Sequence, residues 1–149
     1  MTGMYDLAAD VLAECELLLD PNVTGRSLPA RRYVSHGQPP VEVCDGLLSV
    51  WFATMETRQV GDSDAGQTQR VVELAVDVWR CWPVGDERIP DAEVLSKAAG
   101  VAADDLDRLS LGLTSYLAPR CGVVGWRPAL SLGPSGGMAG WRLGVRLSL

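Results

Sequence analysis

The sequence predicts an α+β domain: a mostly antiparallel sheet of four to five strands with two main helices packed on one face. Three observations lead there. Apolar residues alternate with a period of two through Val41–Glu56, Arg70–Trp82, Trp126–Leu132 and Trp141–Leu149. They recur at spacings of three and four through Met4–Leu19 and again after Pro90. The alternating runs also follow one another as hairpins, and no strand–helix–strand unit with a phosphate loop interrupts them. At 149 residues the chain has the length of one domain, 1–149, without internal repeats beyond the two hairpins.

In order, Met4–Leu19 forms an amphipathic helix: Ala8, Val11, Leu12, Cys15 and Leu19 make its apolar stripe, and Asp6, Asp10 and Glu14 an acidic one. Thr2 is placed to cap it, and Asp20-Pro21-Asn22 breaks it. Arg31–Val34 makes a short strand closed by Pro39-Pro40. The first long strand puts Leu48, Val50 and Phe52 on one face and Leu47, Trp51 and Met55 on the other. Both faces are apolar, which suits the sheet interior or a face held against a partner. Thr57–Gln69 has no period and predicts a mobile, functional loop. The returning strand, Arg70–Trp82, sets Val72, Leu74, Val76 and Val78 against Glu73, Asp77 and Trp79.

The second helix has Asp91 and Glu93 in its first turn and an apolar register from Leu95 to Leu117. Gly100 is a candidate break, with Ala103-Asp104-Asp105 as a restart, and Pro119 ends the run. The closing hairpin turns at Gly133-Pro134-Ser135-Gly136-Gly137. In its second strand Trp141, Leu143, Val145, Leu147 and Leu149 face one way, and Arg142, Gly144, Arg146 and Ser148 the other. A lone hairpin is marginal, so this one extends a larger sheet in the chain or in an assembly.

The net charge of −6 argues against nucleic-acid binding as the main task. Five tryptophans against one phenylalanine suit half-buried positions and interfaces. The cysteines at 15, 44, 81 and 121 form no close pair and the only histidine is His36, so no metal site is expected. Apolar or strand-like surroundings predict free thiols in a reducing compartment, with Cys44 and Cys81 able to face each other on paired strands. Neither a signal peptide nor a membrane span is expected.

No residue pattern carries catalytic chemistry. The glycines at 133, 136, 137 and 140 lead into a strand and not a helix, which makes them a turn and not a nucleotide cradle. His36 has no marked nucleophile to serve. Asp104, Asp105 and Asp107 read as a helix cap, and Asp62 and Asp64 lack the spacing and terminal glutamate of a calcium loop. Arg31, Arg32, Arg142 and Arg146 are the main basic points, and Arg142 and Arg146 share one strand face. That face is either solvated edge protection or a contact for an acidic neighbouring subunit, and both readings stay open.

Together these pieces resemble a family. Cys44-Asp45-Gly46-Leu47 entering the first long strand, Trp79-Arg80-Cys81-Trp82-Pro83 leaving the second, and the turn Gly133 to Trp141 are similar to the tail terminator proteins of long-tailed (siphovirus-type) actinobacteriophages. The resemblance covers most of the chain from Arg31 onward. It implies a structural virion protein, not an enzyme and without cofactor: a ring, usually a hexamer, that caps the tail tube, stops its polymerisation and joins the tail to the head-side connector or stopper protein. DNA would pass through the channel without specific binding, and assembly would take place in the host cytoplasm. The loop residues Arg58, Gln59, Asp62 and Asp64 and the strand residues Arg142 and Arg146 are the candidate subunit or tube contacts. The other readings are a different neck or head–tail connector protein, a small ligand-binding α+β domain with a pocket between sheet and helices, and an antitoxin- or regulator-like partner.

Overall fold

A computed structural model describes residues 3–40, 45–60, 67–83, 91–135 and 137–149. The first helix, α1 (Met4–Leu18), buries Ala8, Val11 and Cys15 of the expected stripe and also Leu7, while Leu12 is half-buried and the fully buried Leu19 lies just past the helix end. Gly3 precedes it without a side-chain cap, and Thr2 lies outside the described residues. At the expected break, Asp20 accepts a hydrogen bond from the Asn22 N–H at 3.0 Å and caps a single helical turn, α2 (Pro21–Thr24), with Pro21 in the first turn where its missing N–H costs nothing.

Six strands make one mixed sheet: β1 (Arg31–Ser35), β2 (Leu47–Val60), β3 (Gln67–Cys81), β4 (Gly122–Trp126), β5 (Leu130–Ser135) and β6 (Met138–Ser148). The order is β1-β2-β3-β6, and β4 and β5 both pair with the far edge of β6. Only β1–β2 is parallel; every other pairing is antiparallel. The count exceeds the expected four to five because the run before the closing turn divides. Pro128 has no N–H to give a ladder and separates β4 from β5, so β6 has two short partners in place of one.

The expected loop from Thr57 to Gln69 is largely strand. Thr57 pairs with Arg70, Arg58 with Gln69 and Gln59 with Thr68, leaving only residues 61–66 between the strands, outside the described residues. Polar side chains hid these strands because a ribbon wet on both faces has no apolar period to read. The β6 pairing stops at Val71, so this ribbon stands about 13 Å beyond the sheet at some 3.3 Å per residue.

A bulge at Ala53, between the pairs Phe52–Leu74 and Thr54–Glu73, reverses the parity of β2. Met55 therefore sits opposite Val72, on the same face as Phe52 and not with Trp51 as the alternation alone suggests.

The third helix, α3 (Ala92–Leu117), is continuous through Gly100, whose helical penalty of about 1 kcal/mol is too small to break 26 residues. Asp91 is its cap, accepting from the Glu93 N–H. Asp104, Asp105 and Asp107 lie in mid-helix and cap nothing. Asp105 is instead buried, taking a 3.0 Å hydrogen bond from Arg80 Nη2 and one of 3.3 Å from Arg26, while Asp104 joins Arg26 to Arg108. This network ties α3 to β3 and to the segment before β1.

The core lies between α1, the C-terminal half of α3 and one sheet face. It contains Leu48, Val50, Val72, Leu74, Val76, Leu143, Val145 and Leu147 from the sheet, with Leu109, Leu113 and Leu117 from α3. Gly112 admits α1 closely: a Cβ there would lie 2.2 Å from Leu18 Cδ2. The packing is partial, because α3 buries no residue before Asp105.

The thiol expectation needs correcting. Cys15 and Cys121 are free, but Cys81 is disulfide-bonded; Cys44 lies outside the described residues. The chain entering β2 runs beside the end of β3, where a Cβ on Gly46 would sit 3.2 Å from the Trp79 carbonyl oxygen. A strand-like context around each cysteine does not report that approach. Burial, with Glu14 and Glu16 beside it, pushes the Cys15 thiol well above the ordinary thiol range.

Candidate functional site

Among the described residues no helix packs on the second face of the sheet. Strand alternation brings a defined set of rows to it. Tyr33, Ser49, Asp77, Arg142 and Leu130 cross five strands in one row, and Trp51, Ala75 and Gly144 form the next. Leu47, Trp79 and Met138 make a small apolar cluster at one end.

The centre of this face is an ion pair. Arg142 donates from Nε and Nη2 to both oxygens of Asp77, at 2.7 and 2.9 Å, and its guanidinium carbon stands 4.9 Å from the centre of the Trp51 ring. Asp77 has 1% of its side chain exposed, and Arg142 lies over it. The hydrogen bond from the guanidinium to Asp77 holds the Arg142 pKa above its ordinary value, with burial opposing it. Arg127 repeats the arrangement, bonding Glu73 at 2.9 Å. It reaches across β6 because Gly144 leaves room: a Cβ there would lie 3.3 Å from the Arg127 stem.

Beside these pairs is a cavity of about 340 Å³ lined by Trp51, Ala53, Ala75, Pro128 and Leu130, with the two arginines and Glu73 at its wall. On the helix side, a cavity of about 130 Å³ lies at the overhanging half of α3, one of about 270 Å³ between α1 and β1–β2, and one of about 360 Å³ where α1, the end of α3 and Leu149 meet. Ser49 Oγ, Trp51 Nε1 and Trp79 Nε1 are buried on the second face without hydrogen-bond partners. Burial without a partner costs such a group on the order of 1–3 kcal/mol.

The bulge gathers three of the sequence-derived contact residues. With parity reversed after Ala53, Glu56 and Arg58 come to the second face, where Glu56 takes a 2.7 Å hydrogen bond from Arg58 and lies 3.5 Å from Arg146. Hydrogen bonding from Arg58, opposed by burial and aided by the charges of Arg58 and Arg146, holds the Glu56 carboxyl below the ordinary range. Arg58, Arg142 and Arg146 thus share one surface. Gln59 points to the other side of the ribbon, and Asp62 and Asp64 lie outside the described residues. Arg142 is not a free solvated charge as its strand position suggested: Asp77 holds it.

Sequence reasoning missed Trp51 as a cavity wall, placed Glu73 on its strand face without its partner, and missed Arg127 and Leu130 altogether. The Asp77–Arg142 pair was within reach, since both residues carry the polar parity of strands read correctly. Their register across β3 and β6 was not. His36 is exposed, lining one shallow pocket with Tyr5, Val34, Ser35 and Phe52. No group of three metal-ligating side chains occurs among the described residues, and no helix there is long and apolar enough to cross a membrane.

Compared with known proteins, the sequence matches no family model and no curated relative.

Proposed function

We propose that this chain is a tail terminator: a structural virion protein that forms a ring, usually of six copies, on the end of a phage tail tube, stops its polymerisation and receives the head-side connector. One observation carries the reading. A sheet with helices on one side has a second face bearing paired arginines, buried tryptophan and a shaped cavity, and a wet two-stranded ribbon projects beyond the end of its strands. Such a layer suits side-by-side packing of subunits, and the ribbon is an exposed β-edge for a tube or connector subunit to engage. The acidic balance of the chain lets DNA pass the channel without being held.

The test is capping. Purified chain added to growing tail tubes should halt extension and appear by electron microscopy as a ring at one end. Binding to the portal complex in place of the tube would make it another neck protein. Binding to neither would overturn the assembly reading.

The cavity favours a second reading, a small ligand-binding domain, because its volume lies at the low end of small-molecule sites. Quenching of Trp51 fluorescence by a small-molecule library, lost in a Trp51→Phe variant, would support it.

A further inference from the structure

We propose that copies of this chain associate front to back, with the outer face of α1 in one copy seated on the second sheet face of the next, over the Trp51 cavity. This rests on the assembly reading above and names the surfaces that carry it.

Three observations fit the two faces together. The outward stripe of α1 is Tyr5, Ala9, Ala13 and Leu17 at steps of four, with Tyr5 70% and Leu17 67% exposed. Two large apolar side chains flank two small ones, so the helix can approach a surface closely and present a knob at each end. The cavity offers a matching apolar wall, Trp51, Ala53, Pro128 and Leu130, and Leu130 is 54% exposed.

The charges also match. Asp6, Asp10 and Glu14 run beside the α1 stripe, α1 contains no Lys or Arg, and none of these three acids makes an ion pair among the described residues. On the sheet face the order is inverted. Asp77 is buried and Glu73 half-buried beneath the arginines that bind them, at 1% and 17% exposure, while the Arg127 side chain is 55% exposed. An approaching molecule meets guanidinium groups first. This face carries Arg58, Arg127, Arg142 and Arg146 against Asp77, Glu73 and the exposed Glu56, an excess of positive charge opposite the acidic helix of a chain with net charge −6.

The two surfaces lie on opposite sides of one layer, so the contact is heterologous. It repeats from copy to copy and closes into a ring when the rotation per copy divides a full turn.

Blocking each face separately tests this. A Tyr5→Arg/Leu17→Arg variant blocks the helix face and a Leu130→Arg variant blocks the sheet face; all three positions are exposed, and circular dichroism confirms folding. Wild type should associate in light scattering, and each variant alone should stay at the 16.0 kDa of one chain. An equimolar mixture should give a dimer and nothing larger, because each variant retains the face the other lacks. A wild type that stays monomeric at the highest attainable concentration, a variant that still assembles, or a mixture without dimer would each overturn the proposal. Tube capping separates it from the functional reading. Capping that survives both variants rejects these faces and keeps the terminator; a mixed dimer whose wild-type parent caps no tube keeps the faces and rejects the terminator.

Discussion

The two faces of the sheet are made by the same strands, residue by alternate residue, and they follow opposite rules. On the helix side Leu48, Val50, Leu74, Val76, Leu143 and Val145 meet α1 and α3 in a continuous apolar core. On the other side the same strands present Ser49, Trp51, Asp77, Arg142 and Arg146, with a cavity and three buried polar atoms lacking partners. One face is built to hold the chain together. The other bears polar groups where the helix side bears carbon.

This contrast can be broken or sharpened by substitution. Leu74→Ala, at a fully buried position of the helix-side core, should lose about 3–4 kcal/mol of stability in urea unfolding, within the range for large-to-small core changes. Asp77→Ala strands Arg142 over an apolar sheet and should cost about 2–3 kcal/mol, less than for a fully buried pair because Arg142 keeps some solvent. Replacing both, Asp77→Leu with Arg142→Leu, should recover stability to within about 1 kcal/mol of wild type. A double variant as unstable as the single one would show that the pair is structural and that the two faces do not differ in the way described.

Arg127→Ala should change stability by less than about 0.5 kcal/mol, since its pair with Glu73 is half in water, yet it should weaken self-association in light scattering. The smallest effect concerns pH. Glu56 on the sheet face and Asp104 on the helix side are both held below their ordinary values of 4.5 and 3.8, in each case by arginine hydrogen bonds first, from Arg58 for Glu56 and from Arg108 for Asp104. A carboxyl depressed in the folded state stabilises above its unfolded pKa, and that contribution is lost as pH falls through the folded value. Their carboxyl carbon shifts, followed by nuclear magnetic resonance, should therefore titrate below those ordinary values, and Glu56→Gln should lower Tm slightly at pH 7, the difference fading as pH falls through the folded value.

Much of the helix side was legible in the sequence. The α1 stripe, the Val72–Val78 alternation and the buried parity of β6 appear in the residues themselves, because apolar period and burial are one signal. The second face was legible only as polarity. That Arg142 and Arg146 share a face follows from alternation, whereas Asp77 beneath Arg142 depends on the β3–β6 register, and Arg58 beside Arg146 depends on a one-residue bulge. The ribbon strands were misread as loop because nothing buries them. Asp105 was misread as a cap because its partners, Arg80 and Arg26, come from distant segments.

The sequence by itself determined the α+β class, the two main helices and which side of each core strand is apolar, since each is set by neighbours within a few residues. Tertiary structure alone decided that β1 runs parallel to β2, that β4 and β5 share the edge of β6, and that Cys81 is bonded while Cys15 and Cys121 are free. It also decided how a bulge and a pairing register place Arg127 and Arg142 at one cavity and Arg58 and Arg146 on the same sheet face. Those are long-range juxtapositions, and a one-residue shift in any of them turns a side chain to the opposite face.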